Sequence, residues 1–232
     1  MNCQQVIVGC VFSLAASLTF AQGPSLPAGY SPLFNGRDLD GWHLSRSTHQ
    51  GTTPDFHVER GTIVGMEKPY GQGGLLMTNR RYKNFDLYLE LKIDSFAKGG
   101  IFFRSNEGGA AYQIELVLPG ATGDLLGERI AVSRGATATG RQKVWRANDW
   151  NAFRLRVEGD TPRIRLWINN ELMWDVTEPK NDLLASETDG MIALQCHWTA
   201  LFSPAAGKGM PLSSWQPGAA HRFRNIGIIE LK

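Results

Sequence analysis

The chain has 232 residues, 42% of them hydrophobic and 20% charged, and a formal net charge of +2. That length buries a sizeable core within one β domain, and a near-neutral balance with no basic run longer than Arg80-Arg81 excludes a nucleic-acid footprint. Seven Trp residues supply flat amphipathic rings suited both to packing between sheets and to stacking on sugar faces.

The N-terminal stretch is uncharged and carries an apolar run from Val6 to Phe20, too short for a comfortable membrane span. It ends in Thr19-Phe20-Ala21, so residues 1–21 read as a signal peptide cleaved after Ala21. An uncleaved anchor or a buried strand is the alternative. Cleavage removes Cys3 and Cys10 and leaves Cys196 alone, so the exported chain has no internal disulfide and takes its stability from its core. Residues 22–32, with Pro24, Pro27 and Pro32, read as an irregular leader, and residues 33–232 as a single domain.

Turn signals surround a few apolar anchors from Leu33 to His43. Residues 56–65 alternate and break at Gly61, which predicts a hairpin, and Gly73 to Met77 is a short strand. Asn84 to Ile93 is the cleanest alternation, with Phe85, Leu87, Leu89, Leu91 and Ile93 on one face. It leads into Gly99 to Val117, where two apolar arms flank Ser105-Asn106-Glu107-Gly108-Gly109, a second hairpin. The period then disappears from Pro119 to Ala147, a long loop of the kind that is functional or mobile. Strands resume at Asn151–Glu158, Arg163–Asn169, Glu171–Val176 and Gly190–Trp198. A Gly/Pro/Ser-rich excursion spans residues 203–218, and Phe223 to Leu231 closes the chain. With no helical period and no internal repeat, the pattern predicts an all-β sandwich of two antiparallel sheets.

Strand parity sends Arg104, Gln113, Glu115, Gln195 and His197 to the faces opposite the apolar sets. A carboxylate and an imidazole beside a guanidinium can supply a base, an acid and a stabiliser for a developing oxyanion. The competing reading is a plain solvated face, as for Arg154, Arg156, Arg165 and Trp167. His43, His49, His57 and His221 have no metal-ligand spacing and read as surface or turn residues. A calcium or other divalent cation held by loop carbonyls is compatible with the chain. There is no G-x-S-x-G elbow, no H-E-x-x-H and no Walker-type loop. The alternating carboxylates of laminarinase-type sandwich glucanases are missing as well, because Glu187-Thr188-Asp189 runs into Gly190.

Six segments in order, Leu33 to Trp42, Gly99 to Ser105, Tyr112-Gln113-Ile114-Glu115-Leu116, Trp150-Asn151, Leu194-Gln195-Cys196-His197 and Phe223-Arg224-Asn225-Ile226, resemble the 3-keto-disaccharide hydrolase family. The resemblance covers nearly the whole mature chain. It implies a concanavalin A-like jelly roll, periplasmic or secreted from bacteria, with a carbohydrate substrate oxidised at C3 and no membrane span after signal cleavage. This chain has Trp198 where the family usually has Gly, and a longer segment from Thr199 to Ala220. A C3 ketone acidifies the C2 proton, so one base and one enolate stabiliser suffice for elimination and rehydration. On this chemistry Glu115 and His197 share the base and acid roles, and Arg104 or a bound metal holds the enolate. Gln113 and Gln195 orient hydroxyls, and Trp198, Trp145 and Tyr112 are sugar platforms. A non-catalytic carbohydrate-binding module on the same sandwich is the alternative, and a conventional glycosidase is a third reading.

Overall fold

The computed structural model describes residues 25–52, 54–118, 120–132, 135–179, 187–198 and 217–232. The proposed signal peptide and most of the 203–218 excursion therefore lie outside the described residues. Fourteen strands are described, each where the sequence alternates or runs apolar between turn residues. They are β1 (Ser31–Pro32), β2 (Trp42–Leu44), β3 (Asp55–Glu59), β4 (Thr62–Met66), β5 (Gly74–Thr78), β6 (Phe85–Ile93) and β7 (Lys98–Ser105), then β8 (Ala111–Val117), β9 (Leu125–Glu128), β10 (Asn151–Glu158), β11 (Arg163–Ile168), β12 (Glu171–Thr177), β13 (Met191–Cys196) and β14 (His221–Glu230). Among the described residues the one helical turn is α1 (Arg141–Val144).

All pairings are antiparallel, and they form two sheets. One has eight strands in the order β12-β11-β10-β6-β14-β4-β3, with β1 beside β14, and the other six in the order β2-β5-β13-β7-β8-β9. This is the two-sheet antiparallel sandwich that the alternation predicts, and the jelly roll that the resemblance implies. Phe85, Leu87, Leu89 and Leu91 of β6, Phe153, Leu155 and Val157 of β10, and Ile164, Leu166 and Ile168 of β11 point inward and are buried. They meet Ile101 and Phe103 of β7, Tyr112, Ile114 and Leu116 of β8, and Ile192, Leu194 and Cys196 of β13 in one core. Each such side chain contributes roughly 1.5–3 kcal/mol by leaving water.

Three features depart from the sequence reading. The stretch from 119 to 147 is not simply a loop. Leu125–Glu128 adds β9 to the edge of β8, and Trp174 of β12 donates its indole N–H to Gly123 O at 2.8 Å, so the segment closes the side between the two sheet edges. The leader joins the sheet before residue 33: Ser31 and Pro32 pair with Ile228 and Gly227, and the Tyr30 hydroxyl donates to Asp86 at 2.6 Å. Asp86 also receives Arg154, Nε to Oδ1 at 2.8 Å, so the arginine face of the eight-stranded sheet is neutralised by carboxylates.

His221, read as a surface or turn residue, is fully buried between the sheets. Burial pushes its pKa from 6.5 down to about 4, against the backbone of Ala97 and Gln195 and the Asp94 carboxylate, which favour the charged form. Between these two values the unfolded chain binds a proton that the folded chain excludes, so stability is full above about pH 6.5 and is lost as pH falls toward 4. At pH 5 the loss from this group is about 2 kcal/mol. Urea unfolding at pH 7 and pH 5 should show a drop in midpoint for the wild type and a distinctly flatter dependence for His221→Gln; equal slopes in the two proteins would remove His221 as the cause.

Candidate active site

The face of the six-stranded sheet turned away from the core carries the polar residues in register. Met77, Ala193, Phe102 and Gln113 lie across β5, β13, β7 and β8 as one row, and Leu75, Gln195, Gly100 and Glu115 as the next. Beyond them the His197 N–H donates to Lys98 O at 3.0 Å, which continues the ladder past β13. Gln113, Gln195, Glu115 and His197 thus share one face, as parity dictates. Leu75, Met77, Phe102, Ala111, Met191 and Ala193 give that face its own small apolar cluster.

Gln113 and Gln195 stand on strands that flank β7, and Gln113 Nε2 donates to Gln195 Oε1 at 3.1 Å. The amide crosses over Gly100, where a Cβ would come within 2.5 Å of Gln113 Nε2. Gln195 is fully buried, and its Nε2 has no hydrogen-bond partner among the described residues. A buried donor without a partner is costly, and a ligand hydroxyl is one acceptor that would relieve it.

His197 is half-buried. Its Nδ1 donates to Trp198 O at 2.6 Å, which fixes the tautomer with the lone pair on Nε2. Burial first, then the Lys98 charge, pushes its pKa down to about 4, so the ring is neutral and able to accept a proton at neutral pH. Burial raises the pKa of Glu115, with Asp124 and Glu128 adding to the rise and Lys98 opposing it. Lys98 Nζ lies 3.7 Å from Glu115 Oε1, and the two side chains are 31% and 12% exposed. The Trp198 ring stacks on His197 with centroids 5.4 Å apart, and Trp198 remains 39% exposed.

A strap formed by residues 43–52 crosses this face. Its first part is tied to the β7–β8 turn: Ser45 Oγ donates to Glu107 O at 2.7 Å, and Arg46 N donates to Glu107 Oε1 at 3.1 Å. Further along, His49 Nε2 meets Glu128 Oε1 of β9 at 2.8 Å, and the Gln50 backbone lies against Gly73. Lys98, Gln50 and Glu128 were not singled out from the sequence, and His49 was named only as a surface or turn residue. Parity extended one residue before Gly99 finds Lys98, whereas no periodic signal marks the strap. Among the described residues no three His, Cys, Asp or Glu side chains converge as a metal ligand set.

Three expected residues lie elsewhere. β7 has a bulge where its pairing with β13 slips between Met191 and Ala193, and Arg104 takes φ 49°. The extra residue turns the guanidinium out of the polar row. Arg104 is buried instead, donating Nε and Nη2 to Lys83 O at 3.0 and 2.7 Å and Nη2 to Gly159 O at 2.8 Å. Tyr112 points into the core with Ile114 and Leu116 and stacks on Phe103 at 5.5 Å, so no sugar reaches its face. Trp145 packs against the core edge-on to Phe153 at 6.4 Å, with Arg141 5.8 Å from its centroid.

The described residues form a two-sheet jelly roll that carries one polar row, and comparison with known proteins gives its family. Residues 29–229 match the family described as the 3-keto-alpha-glucoside-1,2-lyase-like domain, and the chain belongs to that family. A 3-keto-disaccharide hydrolase of Bacteroides thetaiotaomicron is 30% identical over 96 residues, a match that spans 40% of this chain and 33% of that protein. Among solved structures, a candidate glycosyl hydrolase from Parabacteroides distasonis superposes with a TM-score of 0.57 at 19% identity, over 88% of this chain and 94% of that one. A β-glucanase of Bacillus licheniformis gives 0.56 at 12% identity, over 91% and 100%. These two likenesses show the fold.

The placement of Arg104 generates a test. Arg104→Met leaves the carbonyls of Lys83 and Gly159 without their donor, at a cost of about 2 kcal/mol in urea unfolding. The His197 titration followed by NMR should stay where it is. A displaced His197 titration with unchanged stability would return Arg104 to the site.

Proposed function

We propose that the chain cleaves glycosides already oxidised at C3, by removal of the C2 proton and elimination of the C1 substituent, followed by addition of water. The observation that carries this reading is His197: a neutral imidazole with Nδ1 committed to a backbone carbonyl, on the face that also bears Glu115. His197 Nε2 takes the C2 proton, and the electron pair of that bond forms the enolate across C2, C3 and O3. Collapse of the enolate expels the C1–O bond and leaves a C1–C2 double bond conjugated to the ketone. Glu115, held toward its protonated form by burial, gives its proton to the departing oxygen. Water then adds at C1 while Glu115 takes back a proton from it, and His197 returns its own proton to C2. The net change is hydrolysis. Gln113 and Gln195 hold sugar hydroxyls, and the exposed side of the Trp198 ring is a platform. The family membership and the 3-keto-disaccharide hydrolase likeness support this substrate class.

Removing either proton-transfer group should cost roughly 10²–10⁴-fold in turnover. Released aglycone from a 3-keto-glucoside is the assay for His197→Ala and Glu115→Gln; unchanged turnover in both, with the fold intact, would falsify the site. The rate should rise as His197 loses its proton through about pH 4 and fall where Glu115 loses its own, above the ordinary glutamate range, with Glu115→Gln lacking that second limb. Gly100→Ala displaces Gln113 from Gln195 and should lower kcat/KM about tenfold, the worth of one hydrogen bond. Saturable glycan binding by the wild type with no product from oxidised or ordinary sugars would mark a binding module instead.

A further inference from the structure

We propose that Lys98 is a catalytic residue of this face: its ammonium donates to the oxygen at C3 of the keto sugar and holds the negative charge that this oxygen gains when C2 is deprotonated. The inference rests on the reaction proposed above and supplies the partner that reaction lacks. Enolate formation places one new charge on one atom, and a donor already positioned there is the largest single source of rate in such steps. Sequence parity had reserved Arg104 for the task, but its guanidinium is spent on the carbonyls of Lys83 and Gly159.

The cation that β7 does present on the polar face is Lys98. Its register position, opposite Val117 and two residues from Gly100, puts it on the same side as Gln195, Glu115 and His197. Its carbonyl accepts the His197 N–H at 3.0 Å, so the base and the cation are fixed to each other through the backbone. At 3.7 Å from Glu115 the ammonium makes a long pair with one carboxylate, and a lysine's three donors exceed what that pair uses. Among the other basic groups near this face, His49 is engaged with Glu128, and His197 is needed uncharged. Gly100, without a side chain, lets the Gln113 amide lie down against the sheet between Lys98 and Phe102, so the amide and the ammonium line the same face. A simple surface ion pair would be the bland role for Lys98. It does not account for a lysine chosen beside a base whose action requires neutrality, since the Lys98 charge helps to keep His197 unprotonated.

The test separates enolate formation from departure of the C1 group. A 3-keto sugar lacking a C1 substituent, 1,5-anhydro-3-keto-glucitol, cannot eliminate, so exchange of its C2 hydrogen in D₂O, read by NMR, reports deprotonation alone. Wild type should catalyse this exchange, Lys98→Met should lose it by about 100-fold, and Lys98→Arg should recover part of it. The urea midpoint of Lys98→Met should match the wild type, because the side chain is partly in solvent. Exchange at the wild-type rate in Lys98→Met overturns the proposal while leaving the parent reaction standing. A wild type that neither exchanges C2 nor releases aglycone from a 3-keto-glucoside overturns the parent reaction itself. Borohydride added with the same keto sugar provides a further arm: capture of the sugar on Lys98, seen as a mass increase, would show an iminium and overturn the non-covalent role, and no increase supports it.

Discussion

Two adjacent glycines set the distance between core and site. Gly99 faces inward, where a Cβ would meet Gln195 O at 2.1 Å and the His221 ring at 2.8 Å. Gly100 faces outward, beneath the amide that links Gln113 to Gln195. Any side chain at the first would push the sheets apart or expel His221, and at the second would lift Gln113 away from its partner. β7 therefore passes through the middle of the six-stranded sheet at a point where both layers close tightly around bare backbone. Glycine weakens a strand in isolation, and here β13 and β8 on either side hold the segment in place.

On that base, burial does most of the electrostatic work. His197 is kept neutral and Glu115 is drawn toward protonation because water is partly excluded, and Lys98 acts on both in the same direction, disfavouring an extra positive charge on His197 and a lost negative charge on Glu115. For Glu115 the burial effect exceeds the attraction of the lysine, so the two groups hold pKa values shifted in opposite directions from their ordinary ones. Divergent shifts of neighbouring groups are how one face offers a base and an acid at the same pH. The strap contributes by shielding the face, and its His49 pair with Glu128 occupies a carboxylate that lies close enough to Glu115 to act on it.

The sandwich was legible because its strands alternate. β6, the β7–β8 hairpin, β10 and β11 announce their inward faces residue by residue, and the Asn169-Asn170 turn has positive φ at both positions, as a tight hairpin requires. The same alternation placed Gln113, Glu115, Gln195 and His197 together. It failed at Arg104 because parity assumes no insertion, and one bulged residue reverses everything beyond it. It was right about Tyr112, whose position with Ile114 and Leu116 marks it as core; choosing it as a platform for being aromatic set residue type above position. β9 was hidden because four residues ending in Gly-Glu are too few to show a period. His49 was not legible at all, since it reaches the face from a segment with no regular repeat, through a pairing 79 residues away along the chain.

The disposition of the carboxylates bears on the kind of bond cleavage this face can support. A hydrolase that works through a glycosyl-enzyme or a directly activated water needs two free carboxyl groups across the scissile bond. Glu115 has two acidic neighbours, but Asp124 accepts the Ala138 N–H at 2.8 Å and Glu128 is bound to His49. Each is held by a structural partner, which leaves one carboxyl group, one imidazole, one ammonium and two amides. That set is poor equipment for displacing an unactivated acetal and well matched to a sugar whose own ketone has already made C2 acidic. In the proposed reaction the difficult step is transferred to the substrate's oxidation, so the protein needs only to move one proton from C2, hold one charge on O3, and seat the ring on the amides of Gln113 and Gln195.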